Sequence, residues 1–315
     1  MGEVYPSLSM YIPEHEVRAV LTYEALIPAI RQALIDYSAG RVDQPARTIL
    51  RAGNAEGFAN GWFAVMPVIA GDFMGVKTVT FYPANAEAGL HTHMAVIELL
   101  SRATGEPLAV MDGRLITEMR TAAVSAVALD ALAPKLATSL GILGSGVQAR
   151  SHIAAFRRVR PELKDIRIWS RTQAHAEKLA AEAGGRSVSI EEAAAADVVL
   201  TVTSSPTPVV EGRWLKPDAL VLAVGATGAS LRELDDEAMQ LSYIVAESRS
   251  CAERESGDVR LSGSSVHAEI GEILPGRVPI PAEPRRIVFK SVGMAIEDLT
   301  GARLVWQARQ TAEAR

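Results

Sequence analysis

From about Lys135 to Ser291, short apolar runs alternate with alanine-rich or charged amphipathic runs, a pattern that leaves few folds open. The apolar runs are "LATSLGIL", "IRIWS", "DVVLTVT", "ALVLAVG", "YIVAES" and "RIVFKS", each about the length of one buried strand. Between them, "VQARSHIAAFRRV", "TQAHAEKLAAEAG" and "LDDEAMQL" have helical spacing and polar flanks. Strand and helix in alternation predict a parallel sheet with crossover helices, so this half is α/β, a Rossmann-type doubly wound sheet.

The first 130 residues or so read differently. "EALIPAIRQALIDYSAG" predicts an amphipathic helix that stops at Gly40. "GWFAVMPVIAG", "FMGVKTVTFYP" and "PLAVMDG" then predict strands in hairpins, an α+β arrangement. "TAAVSAVALDALA" is an alanine-rich helix leading into the parallel-sheet half, and the closing "MAIEDLTGARLVWQARQTAEAR" is long enough to return to the first half. A chain of 315 residues favours two domains at roughly 100 to 200 residues each. The expected division is 1–125 plus 295–315 for one domain, and 126–294 for the other.

Charge and cysteine content narrow the function classes. A net charge of −5 argues against nucleic acid as a partner, because a phosphate-backbone binder needs a basic surface. The single cysteine, Cys251, allows no internal disulfide and no thiolate metal cluster. No segment approaches the roughly 18 apolar residues of a membrane span, and the start of the chain lacks the basic and apolar regions of a signal peptide. The expectation is a cytoplasmic protein that neither enters a membrane nor holds a metal.

Gly141, Gly144 and Gly146, followed by Ala149, form G-x-x-G-x-G-x-x-A at the junction of a strand-like and a helix-like run. Glycines there let the backbone turn tightly and approach a pyrophosphate, which sits on the free N–H groups of the helix start. They can equally serve packing alone. In an NAD site an acid ends the second strand and bonds the ribose 2′-hydroxyl, whereas an arginine there accommodates a 2′-phosphate. Here that strand ends in Ser170, Arg171 and Thr172, with no carboxylate. A guanidinium binds phosphate through paired charge-assisted hydrogen bonds, so the expected cofactor is NADP(H) ahead of NAD(H). The bland alternative makes Arg171 a surface residue and Ser170 or Thr172 a helix cap.

Three cations in the first half interrupt apolar or small-residue surroundings: Arg47 in "QPARTIL", Lys77 in "MGVKTVTFYP" and Arg120 in "ITEMRTAAVSA". Burying such a charge costs several kcal/mol unless an anion meets it. Singly, each reads as a snorkelling or salt-bridged residue; together they suggest a carboxylate clamp. On a strand, Lys77 shares a face with Gly75 and Val79, which points inward or outward depending on register. His91 and His93 in "HTH" fall near an expected helix start and lack a third ligand, so they read as capping or packing residues. Cys251 reads as inert, and Ser256 to Asp258 in "ESGD" as turn and cap chemistry.

The strings "FAVMP", "KTVTFYP", "LAVMDGRLITEMRTAAVSA", "GILGSGVQARSH", "IRIWSRT", "VGATGASLRELDDE", "ESGDV" and "FKSVGMAIEDL" resemble the ornithine cyclodeaminase and mu-crystallin family, its mu-crystallin branch above all. The resemblance runs from about Arg47 through the last helix. It implies a first domain that binds substrate and forms a homodimer, a second that binds nicotinamide cofactor, and an active site between them. It places Arg47, Lys77 and Arg120 on the substrate carboxylate, and Gly144, Ser145, Gly146 and Val147 on the pyrophosphate. It places Ser170, Arg171 and Thr172 on the 2′-phosphate of NADP-using members, with Thr121, Val292 and Met294 near the nicotinamide.

The sequence departs from the cyclodeaminases at two positions. Thr227 stands where they carry an aspartate in the loop "GATGAS", and Ala64 where they carry a glutamate in "WFAVMP". Without those carboxylates a dibasic substrate such as ornithine loses its ionic partner and its base. The residues suit instead the reduction of a cyclic ketimine acid, such as Δ1-pyrroline-2-carboxylate or Δ1-piperideine-2-carboxylate. Arg47 and Arg120 would clamp the carboxylate, Lys77 complete the clamp or donate a proton, and Thr227 bond the imine nitrogen. Ornithine cyclodeamination, amino-acid dehydrogenation and non-catalytic storage of cofactor or ligand are the competing readings; the intact cation set speaks against storage.

Overall fold

The computed structural model describes residues 10–53, 60–280, 282 and 285–313. The chain divides into two compact units. The first comprises residues 1–26, 41–120 and 295–315; the second comprises 27–40 and 121–294.

The first unit is an antiparallel sheet with helices on one side. Its strands are β1 (Tyr11–Ile12), β2 (Val42–Asp43), β3 (Thr48–Arg51), β4 (Trp62–Ala70), β5 (Phe73–Phe81), β6 (His93–Ser101) and β7 (Pro107–Asp112). They lie in the order β1-β7-β6-β5-β4-β2, with β3 also on β4, and β1 runs parallel to β7. Gly71 and Asp72 join β4 to β5, and Gly71 has a φ of 54°, a left-handed turn position that suits glycine.

Cross-strand register fixes the faces. Ala64, Val79 and Ala95 align, as do Met66, Lys77, Ile97 and Met111, and Val68, Gly75, Leu99 and Ala109. All of these are buried, on the side where the C-terminal helix Ala295–Glu313 packs on β4, β5 and β6. Gly75 makes room for that helix: a Cβ there would stand 2.9 Å from a methyl of Leu299. The residue that begins β6, His93, was expected near a helix start and instead opens a strand.

The second unit carries β8 (Ser139–Leu143), β9 (Asp165–Trp169), β10 (Arg186–Ser187), β11 (Val198–Thr201), β12 (Leu220–Ala223), β13 (Tyr243–Ala246), β14 (Ala268–Glu269) and β15 (Ile287–Lys290). The order is β10-β9-β8-β11-β12-β15-β13-β14, all parallel. Every residue of β8, β11, β12 and β15 is buried, as expected of a sheet covered on both faces. The six apolar runs of the sequence are the six longer strands, and two-residue strands add an edge at each side. The order in which successive strands are added reverses between β8 and β11, the switch point at which such sheets bind ligands.

The helices used below are α1 (Glu14–Val20), α2 (Tyr23–Ser38), α3 (Arg114–Leu132), α4 (Val147–Val159) and α5 (Gln173–Ala183). α2 ends two residues before Gly40, whose φ is 71°. The sequence division put all of α2 with the first half, whereas residues 27–40 cluster with the second unit. Tyr37 and Ser38 explain this, through hydrogen bonds of 2.7 Å to the Ser248 hydroxyl and to the Glu269 carboxylate. Among the described residues no helix is long and apolar enough to cross a membrane.

Candidate active site

Lys77 sits mid-strand on β5 with only 3% of its surface exposed. Register turns it to the inner face, among Met66, Ile97 and Met111. A lysine there needs an anion, and the first turn of the C-terminal helix supplies it. Lys77 Nζ lies 2.6 Å from one oxygen of Asp298, while Arg120 Nε donates to the other at 2.9 Å. Arg120 Nη1 also bonds Glu297. Arg120, on α3, is 6% exposed, and both acids are buried. One carboxylate thus bridges two cations that lie far apart in sequence and fixes their separation.

Sequence reasoning missed both acids. In "MAIEDL" they are acids of a first helical turn, which the helix dipole already accounts for. The anion that buried cations demand is therefore internal to the chain. Burial lowers the Lys77 ammonium to a pKa of about 8; Asp298 opposes the shift, while Arg120 and Arg47 add to it. Arg47 thus belongs to the same electrostatic neighbourhood, just before β3. So does His93, which register places on the Lys77 face, its ring 4.4 Å from that of Phe81. Although part of His93 is exposed at the strand end, desolvation of its ring and the Lys77 charge hold its protonation below the usual histidine range. Among the described residues no group of three or more His, Cys, Asp or Glu is placed to hold a metal.

The second unit contains the glycine turn, between β8 and α4. Its three glycines do different things. A Cβ on Gly141 would stand 1.8 Å from the Ala193 carbonyl, so this glycine serves packing. Gly144 has a φ of 123°, and a Cβ there would meet the Val202 carbonyl at 2.7 Å. Gly146, the N-cap of α4, has open space above it and no capping side chain, and Val147 beyond it is 59% exposed. The α4 start therefore offers backbone N–H groups, and the turn fits a dinucleotide pyrophosphate.

At the end of β9 the Ser145 hydroxyl donates to the Ser170 hydroxyl at 2.9 Å, tying the turn to that strand. Thr172 occupies the N-cap of α5, yet its side chain makes no capping bond. Arg171 is exposed and has no ion-pair partner among the described residues. All three side chains are available to an anion.

Thr121 follows Arg120 on α3 and is nearly buried. Val292 and Met294 are buried side chains, so the loop after β15 would present backbone rather than side chain. Glu247, another residue the sequence reading passed over, anchors that loop by accepting the N–H groups of Val292 (2.7 Å) and Gly293. Thr227, in the loop after β12, is exposed. Ala64 is buried against Val79.

A doubly wound sheet with this turn at its switch point defines a dinucleotide-binding protein. The chain belongs to the ornithine cyclodeaminase/mu-crystallin family, whose model matches residues 9–313. It is 42% identical to the ketimine reductase mu-crystallin of Mus musculus over 292 residues, covering 90% of this chain and 91% of that one. Among solved structures, the Thermococcus litoralis Delta(1)-pyrroline-2-carboxylate reductase, in complex with NADH and L-proline, superposes with a TM-score of 0.90 at 32% identity. That match covers 96% of this chain and 98% of the other. An archaeal alanine dehydrogenase dimer with bound NAD gives a TM-score of 0.91 at 28% identity, covering 97% of both chains.

Proposed function

We propose that this chain reduces a cyclic ketimine acid, Δ1-pyrroline-2-carboxylate or Δ1-piperideine-2-carboxylate, to the cyclic L-amino acid with NADPH. It is an NAD(P)H-dependent oxidoreductase of its family. The observation that carries the reading is the buried Lys77–Asp298–Arg120 bridge: two cations held rigid, one with a pKa near neutrality. The kinship with a ketimine reductase and with a pyrroline-2-carboxylate reductase supports it.

NADPH supplies the hydride when bound. Arg47, Lys77 and Arg120 hold the substrate carboxylate and so orient the C=N carbon, which must come within about 3 to 3.5 Å of the nicotinamide. The imine accepts hydride only if its nitrogen is protonated. Lys77, close to half-ionised near pH 8, can supply that proton, and the Thr227 hydroxyl can hydrogen-bond the nitrogen. The product gains one C–H bond, its nitrogen keeps the proton, and the C=N double bond becomes single. With Ala64 and Thr227 in place of carboxylates, ornithine would find no base for its second amine. Ser170, Arg171 and Thr172 favour the 2′-phosphate of NADPH over the hydroxyl of NADH.

The reading includes a homodimer through the first unit. The sheet face away from the C-terminal helix carries Leu50, Met94 and Val96, exposed at 57%, 48% and 42%, on a contiguous run of paired strands. A lone cysteine suits the cytoplasm. Loss of NADPH absorbance with Δ1-pyrroline-2-carboxylate, with NADH run beside it, tests the reading. Turnover with NADPH preferred is expected; ammonia release from ornithine without ketimine turnover would overturn it.

A further inference from the structure

A buried ionic network in the second unit takes no part in the chemistry above. Glu233, Asp258 and Lys290 are each wholly inaccessible to solvent. Lys290, which ends β15, places Nζ 2.9 Å from Asp258 and 2.8 Å from the Ala226 carbonyl. The other Asp258 oxygen accepts the backbone N–H groups of Glu233 at 2.7 Å and Leu234 at 3.0 Å. The Glu233 carboxylate accepts the N–H groups of Thr203 (2.6 Å), Gly225 (2.8 Å) and Ala226 (3.1 Å), and the Thr201 hydroxyl (2.9 Å).

The surroundings allow little adjustment. A Cβ on Gly225 would lie 2.1 Å from the Thr203 carbonyl, and one on Gly257 would lie 2.2 Å from the Leu231 carbonyl. The string "ESGD" thereby gains a role beyond turn chemistry. Ser256 caps the short helix Gly257–Leu261, Gly257 permits close approach, and Asp258 anchors the segment that returns from the "GATGAS" loop.

Glu233 and Lys290 meet at one residue, and Asp258 holds Lys290 in place. Ala226 is held by its N–H through Glu233 and by its carbonyl through Lys290. In a trans peptide the carbonyl and the following N–H point in opposite directions. With the Ala226 carbonyl drawn toward Lys290, the Thr227 N–H faces away from the buried network, and Thr227 is exposed. Three buried ionisable groups are a costly way to pack a loop, since apolar replacements of buried ion pairs are often neutral or stabilising. They also fix an irregular backbone in one geometry.

We propose that Glu233, Asp258 and Lys290 are positioning residues that act through Thr227, setting how it is presented to the imine; this rests on the role given to Thr227 above. The test is a Lys290→Met/Asp258→Asn double variant, which removes both charges together, with Glu233→Gln as the milder change. Each is made in the wild-type and Thr227→Ala backgrounds.

In the wild-type background kcat should fall roughly 10- to 100-fold, the scale of a misplacement of about 1 Å, with the affinity for NADPH unchanged. In the Thr227→Ala background no further fall is expected, because coupled residues are not additive. Amide hydrogen exchange at residues 225–231 should quicken in both. Equal losses in the two backgrounds, or unchanged kcat, would overturn the positioning role while leaving that of Thr227 intact. Thr227→Ala with full kcat would refute the role of Thr227 and the proposal with it. If wild-type protein reduced no ketimine, the functional reading would fall, and unchanged exchange at 225–231 in the double variant would then overturn the network by itself.

Discussion

Replacing Asp298 with Asn removes one negative charge while keeping the shape of the side chain. That charge lies 2.6 Å from Lys77 Nζ and 2.9 Å from Arg120 Nε, and it is what keeps Lys77 at about 8 against burial and two arginines. Unit charges about 4 Å apart interact by about 4 kcal/mol at an effective dielectric near 20. At about 1.4 kcal/mol per pKa unit, up to roughly three units are at stake, and relaxation will reduce that. We expect Lys77 to titrate at least one unit lower in Asp298→Asn. In the proposed reaction Lys77 acts protonated, both as clamp and as donor, so kcat/KM should fall as pH rises through its pKa. The alkaline limb, near pH 8 in the parent, should therefore move toward neutral pH. The ketimine titrates identically with both proteins, so the difference between the two profiles isolates the enzyme group. Breaking a buried pair costs about 3 to 5 kcal/mol, so each profile is taken below the variant's own melting temperature. An unmoved alkaline limb in folded Asp298→Asn would refute either Lys77 as the titrating group or Asp298 as its control.

The same lysine sets a stability signature. Its folded pKa is about 8 against an ordinary 10.5, so between those values the unfolded chain holds the extra proton and this group adds stability as pH rises. Denaturant unfolding should show wild type gaining about 3 kcal/mol on Lys77→Met between pH 8 and 10.5, and no gain would contradict the lowered pKa. Arg171→Ala should raise the KM for NADPH roughly 10- to 100-fold, the worth of a charged hydrogen-bond pair, and leave that for NADH unchanged. Equal effects on both cofactors would remove Arg171 from the 2′-phosphate. Gly144→Ala forces a side chain onto a φ of 123° and to within 2.7 Å of the Val202 carbonyl, so fluorescence titration should show cofactor binding lost. Val96→Lys, on the open sheet face, should yield monomers by sedimentation velocity, and a persistent dimer would point to another interface.

The second unit was legible because its central strands β8, β11, β12 and β15 are buried on both faces and so appear as unbroken apolar runs between amphipathic helices. β6 was not, for the opposite reason. Ala95, Ile97 and Leu99 face the C-terminal helix, but Met94, Val96 and Leu100 on the other face are apolar too. The period-two signal of a half-buried strand is erased when its open face is also apolar, and His93 was left beside an imagined helix. Met94 and Val96, which help to hide the strand, also line the face given to the proposed dimer contact.

The candidate site divides along similar lines. The glycine turn and the cations were visible because each residue is conspicuous where it stands: glycines at a strand end, charges in apolar runs. Their partners were not, because a partner is a property of the fold. Asp298 is 178 residues from Arg120 and reads locally as an ordinary helix-start acid. Finding it changes what the cations mean. Taken alone, buried Lys77 and Arg120 with half-buried Arg47 imply a site whose charge only a substrate can balance. With Asp298 and Glu297 in place, Arg120 is already paired and Lys77 is held near its point of half-ionisation by opposing influences of burial, arginine and carboxylate. In the proposed reaction a substrate carboxylate would add a further anion beside Lys77 and raise its pKa, so binding itself would load the proton that the reduction requires.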